Sequence, residues 1–295
     1  MIRAKLSSVE VGEGRPAAIV YALNVSPSSF YRGSIAKDVR VAVEKSKRAL
    51  EDGASIIDVG GVNTGPGSKP IPADEELNRL IPVIKALSRE LDVPISVDTQ
   101  RAAVAEAAIE AGAEIVNDIS GLKSDERMAE VISGFGCSAI LMATDGAPGD
   151  PCTIGEIKEA LGDSLRICSE YGIPAERVVV DPAIGHWPGR IARLGKRAKE
   201  PYLDRGYDVA TSVSLEILGK LRELESLGRP ICVGISRKSF IGEVLNLPKP
   251  EDRLVGSLAA TVVAVLNGAS VVRTHDPKET LQAVRMAEAI NEFRG

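Results

Sequence analysis

Histidine, cysteine and aromatic residues are all scarce in this sequence of 295 residues. It contains 2 histidines, 4 cysteines, 4 phenylalanines, 5 tyrosines and 1 tryptophan. Two histidines are too few for a histidine-rich metal site. The cysteines form no Cys-x-x-Cys pair, so we expect buried, reduced thiols in a cytoplasmic protein. They are Cys137, Cys152, Cys168 and Cys232.

Long apolar runs and an excess of positive charge are also missing. No apolar stretch approaches the roughly 18 residues that a membrane span needs. The net charge is −5 and the isoelectric point is near 5.4, so nothing in the composition favours binding to nucleic acid. With 44% hydrophobic and 26% charged residues, the composition is typical of a globular protein that acts on small molecules.

Short runs rich in valine and isoleucine alternate with longer amphipathic segments, the pattern of parallel strands joined by helices. The predicted strands span residues 18–24, 55–60, 94–98, 115–119, 138–143, 177–182, 230–235 and 271–275. The predicted helices span residues 38–52, 74–91, 102–111, 157–171, 214–227, 256–267 and 278–293.

The length allows either two domains of about 150 residues or one barrel of about 250 residues. Eight successive β-then-α units favour the second reading, a single (β/α)8 TIM barrel over residues 18–295, preceded by a lead-in of residues 1–17. A doubly wound sheet is the alternative, but it seldom contains eight such even repeats.

One stretch, residues 186–206, departs from the alternation. It reads HWPGRIARLGKRAKEPYLDRG, which is too polar for a core element and too long for an ordinary loop. We interpret it as an insertion with its basic residues in solvent, and a lid or partner contact near the active site is the alternative. Those basic residues are Arg190, Arg193, Lys196, Arg197 and Lys199.

Polar residues end most of the predicted strands. In a barrel of this type the active site lies at the carboxyl ends of the strands, so these residues are the candidates for function. Carboxylates, amides and cations then alternate around one rim. The candidates are Asn24, Asp58, Asp98, Asn117, Asp118, Asp181, the run Ser236–Lys238, Arg273 and His275.

Three of these candidates form a set of hydrogen-bond acceptors with one amide group, namely Asp98, Asn117 and Asp181. Such a set complements a heterocycle that presents several N–H and NH2 donors along one edge. It therefore suits a pterin or a guanine-like ring. Each residue alone also fits an ordinary role in capping a strand or a loop.

A second group is cationic and consists of Lys238, Arg273 and His275. Together these side chains suit a phosphate group. Because closure of the barrel places the eighth strand beside the first, Asn24 lies next to Arg273 in this arrangement. We therefore expect Asn24 to be able to contact a phosphate oxygen or a metal-bound water.

Several segments, in this order along the chain, resemble the dihydropteroate synthases of folate biosynthesis. The most specific is G-x-S-R-K-S-F-x-G followed later by R-x-H-D. The segments are ALNVSPSSF (22–30), IDVGGVNTGPG (57–67), PISVDT (94–99), VNDISG (116–121), VVVDPAIG (178–185), VGISRKSFIG (233–242), GSLAA (256–260) and VVRTHD (271–276).

The resemblance implies a (β/α)8 barrel that condenses 6-hydroxymethyl-7,8-dihydropterin diphosphate with 4-aminobenzoate and releases diphosphate. It implies that Mg2+ is needed and that the protein is a homodimer formed through the C-terminal helices. It also assigns roles to residues: Asp98, Asn117, Asp181 and Lys238 to the pterin, Asn24, Arg273 and His275 to the diphosphate, Asn24 to the metal, and Thr64 and Ser239 to the arylamine.

Such a reaction needs no activated nucleophile on the protein, because the pterin releases diphosphate to leave a stabilised cation. Catalysis then depends on placed charge. Arg273 and His275 stabilise the leaving diphosphate, and Asp98 and Asp181 favour the cationic ring. Together with Lys238, these residues are the predicted catalytic set.

Two positions depart from the pattern of the family. The second loop reads G-G-V-N-T-G-P-G, with Gly65 in place of an arginine, and Ala143 stands where a histidine commonly follows Met142. The scaffold and pterin residues are therefore more strongly predicted than the co-substrate. The altered loop allows 4-aminobenzoate or a larger arylamine bearing a sugar or phosphate, as in an archaeal-type homologue.

Two other functions remain open at this point. A pterin-dependent methyltransferase shares the acceptor set but has no use for Lys238 or for Arg273 with His275. A non-catalytic pterin-binding homologue is the other, and the two departures at Gly65 and Ala143 are its support.

Overall fold

The structure, a computed structural model, describes residues 1–26, 35–62 and 71–293. Eight parallel strands close into a barrel, in the order β10-β3-β4-β5-β6-β7-β8-β9, which confirms the predicted fold. The barrel strands are β3 (Ala18–Asn24), β4 (Ile56–Gly60), β5 (Ile95–Asp98), β6 (Ile115–Asp118), β7 (Ser138–Met142), β8 (Val178–Asp181), β9 (Ile231–Gly234) and β10 (Ala269–Thr274).

Helices connect the strands and cover the barrel. They are α1 (Val39–Glu51), α2 (Ala73–Glu90), α3 (Ala102–Glu110), α4 (Met128–Phe135), α5 (Ile154–Glu170), α6 (Pro188–Leu194), α7 (Val209–Gly219), α8 (Ser239–Val244), α9 (Leu254–Leu266) and α10 (Pro277–Asn291). The helix predicted over 214–227 is α7 followed by a 3-10 helix, Leu221–Leu227. Helices α4, α6 and α8 were not predicted.

Side-chain caps fix where several of these helices begin. Asp38 precedes α1 and accepts a hydrogen bond from the backbone N–H of Val41, and Thr153 accepts likewise from Glu156 before α5. Each cap satisfies a backbone donor that the first helical turn leaves without a partner.

The first residues form an antiparallel hairpin of β1 (Arg3–Leu6) and β2 (Val9–Gly12). Its buried side chains Ala4, Leu6 and Val11 form one apolar cluster with residues near the starts of the barrel strands. The Ser138 hydroxyl donates to the Lys5 carbonyl at 2.8 Å. The segment predicted as a lead-in thus contains a hairpin that closes the N-terminal end of the barrel.

The larger apolar core lies between the barrel and the surrounding helices. Residues alternate along each strand, so that Ile57 and Val59 of β4 face this outer core while Ile56 packs inside the barrel with the hairpin. No helix in the described ranges has the length and apolar character to cross a membrane.

The segment 186–206 contains α6 and a 3-10 helix, Gly195–Lys199. Lys196, Arg197 and Lys199 are exposed, as expected for a solvated insertion. Arg190 is a correction to that interpretation, because its side chain is fully buried and donates to backbone carbonyl groups.

Candidate active site

The two-residue period of the strands places the candidate side chains inside the barrel. Val271 in β10 lies in the inner cluster with the hairpin, and Val272 lies in the outer core. Arg273 is therefore next on the inner side, one layer above Val271. The same alternation relates Ile56 to Asp58 in β4. The inner face is thus apolar near the hairpin and polar near the carboxyl ends of the strands.

Arg273 is the centre of a largely buried ionic network. Its Nε donates to Oδ2 of Asp58 at 2.6 Å, and its Nη2 donates to Oδ2 of Asp98 at 2.9 Å. The amide of Asn117 donates to the same Asp58 oxygen at 3.2 Å. Burial acts to lower the pKa of Arg273, but the two carboxylates outweigh it and raise the pKa above its usual range. The guanidinium therefore stays charged and is held in one orientation.

This network differs from the predicted grouping in one respect. Sequence reasoning placed Arg273 with the phosphate-binding cations and left Asp58 without a role. The structure in addition joins Arg273 to the carboxylates of Asp58 and Asp98. The signal for Asp58 was its position, two residues after an inward-facing isoleucine in β4.

Asn24 and Asp98 lie on the two strands that flank Gly60. A Cβ atom built on Gly60 would lie 3.5 Å from Oδ2 of Asp98 and 3.7 Å from Oδ1 of Asn24. The glycine therefore leaves space between the two strands that carry these oxygens. Burial raises the pKa of Asp98 to about 7, helped by Asp58, while Arg273 opposes the rise.

Lys238 lies beside this network at the start of α8, in the loop after β9, which neighbours β10 in the barrel. Its ammonium donates to the carbonyl oxygen of Ile184 and lies 5.0 Å from the ring centre of Trp187. Burial lowers the pKa of Lys238 to about 8, although Asp181 acts to raise it. A cation at this point can donate to a ligand oxygen or nitrogen or release its proton near neutral pH.

Asp181 ends β8 and keeps a fixed orientation. Its Oδ1 accepts a hydrogen bond from the backbone N–H of Ala183 at 2.7 Å. Burial raises the pKa of its carboxyl group, and the nearby charge of Lys238 lowers it. Asp181 and Lys238 thus form a second polar centre beside the one around Arg273.

His275 follows β10 and makes contact with Ser236. The His275 Nδ1 and the Ser236 Oγ lie 3.0 Å apart. Burial, with the positive charges of Arg273, Arg237 and Lys238, lowers the pKa of His275 to about 3. The imidazole is therefore neutral at physiological pH and acts through hydrogen bonds rather than charge.

Arg237, in the predicted run Ser236–Lys238, supports the loop rather than facing the site. It forms a two-pronged ion pair with Asp276, with bonds of 2.8 and 2.7 Å, and donates to the carbonyl groups of Pro250 and Glu251. Its φ of 57° lies in the left-handed region, so these contacts hold a strained backbone.

Three other predicted residues have different surroundings. Asp118 accepts hydrogen bonds from the backbone N–H groups of Ser120 and Leu122 and so shapes the loop after β6. Ser239 begins α8 and is exposed. Thr64 lies outside the described residues.

Sequence reasoning missed a cluster that joins the segment 186–206 to α8. A ring nitrogen of His186 and carboxylate oxygens of Asp208 and Glu243, which are atoms that could bind a metal ion, lie within 4.8 Å of one another. Thr211 already occupies the centre, because its hydroxyl donates to Glu243 at 2.7 Å and contacts His186 Nε2 at 2.9 Å. Asp208 caps α7. The cluster is thus a hydrogen-bonded link between two elements at the barrel mouth.

The chain matches the family model of pterin binding enzymes over residues 21–275. It is 36% identical to a dihydropteroate synthase of Clostridium beijerinckii over 97% of this chain and 98% of the relative. It is 34% identical to the dihydropteroate synthase of Bacillus subtilis, over 98% of this chain and 97% of that one.

Solved structures agree with these relatives. A dihydropteroate synthase from Clostridium difficile, crystallised in the presence of pteroic acid, has a TM-score of 0.80 and 39% identity, over 94% of this chain and 97% of the other. A dihydropteroate synthase from Xanthomonas albilineans with 4-aminobenzoic acid has a TM-score of 0.81 and 31% identity, over 98% of each chain. The family match and these relatives show that this chain, whose barrel mouth carries carboxylates, amides and cations, belongs to the dihydropteroate synthase family of pterin binding enzymes.

Proposed function

We propose that this protein is a transferase that condenses 6-hydroxymethyl-7,8-dihydropterin diphosphate with an arylamine of the 4-aminobenzoate type and releases diphosphate. The observation that carries the proposal is the pair of polar centres at one end of the barrel, Arg273 with its carboxylates and Lys238 with Asp181, in a chain of this family.

In this proposal the pterin lies between the two centres. Asp98, Asn117 and Asp181 accept hydrogen bonds from the N–H and NH2 groups along the ring edge, and Lys238 donates to a ring acceptor. Asp98 and Asp181 face a ring that gains positive charge as the reaction proceeds, and buried carboxylates stabilise such charge strongly. Their burial supports this role, since it strengthens electrostatic interactions within the site.

The diphosphate is assigned to Asn24, Arg273 and His275. Arg273 uses Nε and Nη2 for Asp58 and Asp98, and within the described ranges its Nη1 donates to no protein atom. That nitrogen is therefore suited to a diphosphate oxygen. His275, neutral because of its lowered pKa, contributes a hydrogen bond instead of a second charge.

Mg2+ belongs to the same part of the proposal. It prefers oxygen ligands and usually keeps several waters together with phosphate oxygens of a substrate. Asn24 offers an amide oxygen and Asp98 a carboxyl oxygen, both facing the open space at Gly60, so the donors present fit such an ion with few protein ligands. When bound there, Mg2+ would neutralise charge on the leaving diphosphate.

The bond changes require little from the protein beyond this charge placement. The bond between the pterin methylene carbon and the diphosphate oxygen breaks, and a bond to the arylamine nitrogen forms. The nitrogen then loses a proton. Thr64 and Ser239 are proposed to lie near the arylamine, and Gly65 leaves open whether it is 4-aminobenzoate or a larger derivative.

The surface of α9 and α10 and the state of the cysteines bear on assembly and on cellular location. Apolar side chains of α9 and α10 are exposed on the barrel surface, including Val255 and Met286 at 77% and 60%. Exposed apolar side chains on two helices that pack together favour association, so we propose a homodimer through these helices. The four cysteines are free thiols, which is typical of the cytoplasm.

The test is to incubate the pure protein with the pterin diphosphate, Mg2+ and 4-aminobenzoate and to measure diphosphate and dihydropteroate. We expect both products in equal amounts, and much less of them from Asp181→Asn. Absence of diphosphate release with every arylamine tried would contradict the proposal. Tight calorimetric binding of the pterin without turnover would instead identify a non-catalytic pterin-binding protein, and corrinoid-dependent methyl loss would identify a methyltransferase.

A further inference from the structure

Arg190 is a buried cation in the segment that sequence reasoning placed in solvent. It belongs to α6, and its side chain is 0% exposed. Its Nε donates to the carbonyl oxygen of Pro151 at 2.8 Å, and its Nη1 donates to those of Ala183 and Gly185 at 2.9 and 2.8 Å. One guanidinium thus ties together the loops that follow β7 and β8.

Burial of the Arg190 guanidinium lowers the stability of the folded state. In the described part of the chain no carboxylate lies within ion-pair distance of Arg190, and its Nη2 is buried without a hydrogen-bond partner. Burial lowers the pKa of Arg190 to about 10, and the more distant acidic groups, among them Asp150 and Asp181, offset only part of this cost. An apolar side chain of similar size would pack there at lower cost. Stabilisation of the fold therefore does not explain this residue.

The bonds of Arg190 act on the loop that surrounds Lys238. Ala183 and Gly185 lie on either side of Ile184, whose carbonyl oxygen accepts from the Lys238 ammonium. Ala183 has a φ of 60°, a strained conformation for a residue with a Cβ atom. A Cβ on Gly185 would lie only 2.8 Å from Lys238 Cδ, so the loop and the lysine are packed closely.

We propose that Arg190 is a positioning residue of the site. Its guanidinium fixes the carbonyl groups of Ala183 and Gly185 and thereby holds the Lys238 ammonium between Ile184 and the ring of Trp187. Because the pterin-binding role of Lys238 rests on the proposed function, the test includes a measurement that needs no substrate.

The charged and titratable groups facing Lys238 set the expected direction of change. Asp181 and Cys232 act to raise the pKa of Lys238, while Arg273 and Arg190 act to lower it. Removing the Arg190 charge should therefore raise the pKa of the ammonium. Loss of the loop contacts should also let it move away from the indole ring.

The chain contains a single tryptophan, Trp187, and the Lys238 ammonium lies 5.0 Å from its ring centre. A pH titration of tryptophan fluorescence therefore reports the charge of Lys238, and Lys238→Met identifies the transition by removing it. The neighbouring His186 has a pKa lowered by burial, so it titrates on the acidic side of the Lys238 transition.

We expect the wild-type transition near pH 8. In Arg190→Met it should move upward by about half a pH unit or more, and its amplitude should fall about twofold as the ammonium leaves the ring. Arg193→Met is the matched control, because Arg193 lies on the same helix, is exposed and forms ion pairs of 3.5–3.8 Å, and it should behave as wild type.

A folded Arg190→Met protein, checked by circular dichroism, whose transition and amplitude equal those of wild type would overturn the proposal. If that variant does not fold, Arg190→Lys keeps a cation but cannot reach all three carbonyl groups, and it should still lose amplitude; an unchanged amplitude would overturn the proposal.

Binding of the pterin diphosphate should weaken about tenfold in Arg190→Met. If wild type bound no pterin, the proposed function would fail, and the fluorescence result would still decide the role of Arg190.

Discussion

Burial works against the charged form of several side chains at the barrel mouth. It raises the pKa of Asp98 to about 7 and lowers those of Lys238 and His275 to about 8 and about 3. His275 is consequently neutral at physiological pH, whereas Asp98 and Lys238 titrate close to it. Arg273 is different, because the contacts with Asp58 and Asp98 more than offset its burial.

The pH dependence of turnover should follow Lys238 on the alkaline side. The ammonium is charged below its pKa, so kcat/KM for the pterin diphosphate should fall as pH rises through about 8. Lys238→Arg should move this limb to higher pH, since a guanidinium keeps its proton. A pH profile of kcat/KM for both proteins is the measurement, and an unchanged alkaline limb in Lys238→Arg would contradict the assignment.

Asp58 should be essential for both stability and activity. It is fully buried and accepts from Arg273 and Asn117, so Asp58→Asn leaves the guanidinium without its shorter ion pair. We expect a loss of about 2–4 kcal/mol in the free energy of unfolding and a fall in kcat/KM of at least about tenfold.

Urea unfolding and steady-state kinetics measure these two effects. Glu44→Gln is the control, because it removes a carboxylate from an exposed ion pair with Arg40, and such pairs contribute less than about 1 kcal/mol. Similar effects of both substitutions would show that the Asp58 network has no special role.

At the scale of secondary structure, elements with a strong repeating pattern were predicted and the others were not. All eight barrel strands follow from runs of branched apolar residues, since a parallel strand covered on both faces is apolar along its length. Helices α6 and α8 have only 7 and 6 residues, too few for a clear helical period. The hairpin contributes few apolar side chains of its own, and these become buried only against the closed barrel.

The hairpin should affect stability without changing the active site. Leu6 is fully buried at the end of the barrel opposite the polar rim, so Leu6→Ala should cost about 3 kcal/mol in the free energy of unfolding. The KM values of the folded enzyme should not change. Denaturant unfolding and kinetics test this, with Leu203→Ala as a control because Leu203 is 72% exposed. A changed KM in Leu6→Ala would show coupling between the two ends.

At the scale of the whole molecule, the barrel keeps its stabilising and reactive ends apart. Apolar layers and the hairpin occupy the amino ends of the strands, and buried charges occupy the carboxyl ends. The desolvated polar network destabilises that end, so the remainder of the core must offset it. The same division leaves the outer helices free to carry an interface.

The proposed dimer predicts a specific response to charge on α10. Met286→Glu places a carboxylate in the exposed apolar surface and should shift the mass measured by light scattering from dimer toward monomer. Leu203→Glu, at an exposed position outside α9 and α10, is the control and should leave the mass unchanged. A wild-type protein that stays monomeric at high concentration would contradict the proposed interface.

The sequence by itself determined the number and order of the barrel strands and the polar residues at their ends, because both depend on local patterns. Only the tertiary structure decided how those residues pair. Asp58 and Arg273 are 215 positions apart and meet because β10 closes against β3 beside β4. Arg190 shows the same limit: its local sequence is that of a solvated surface, yet folding buries it among the carbonyl groups of two loops. Burial and partners are properties of the closed barrel, and no local pattern contains them.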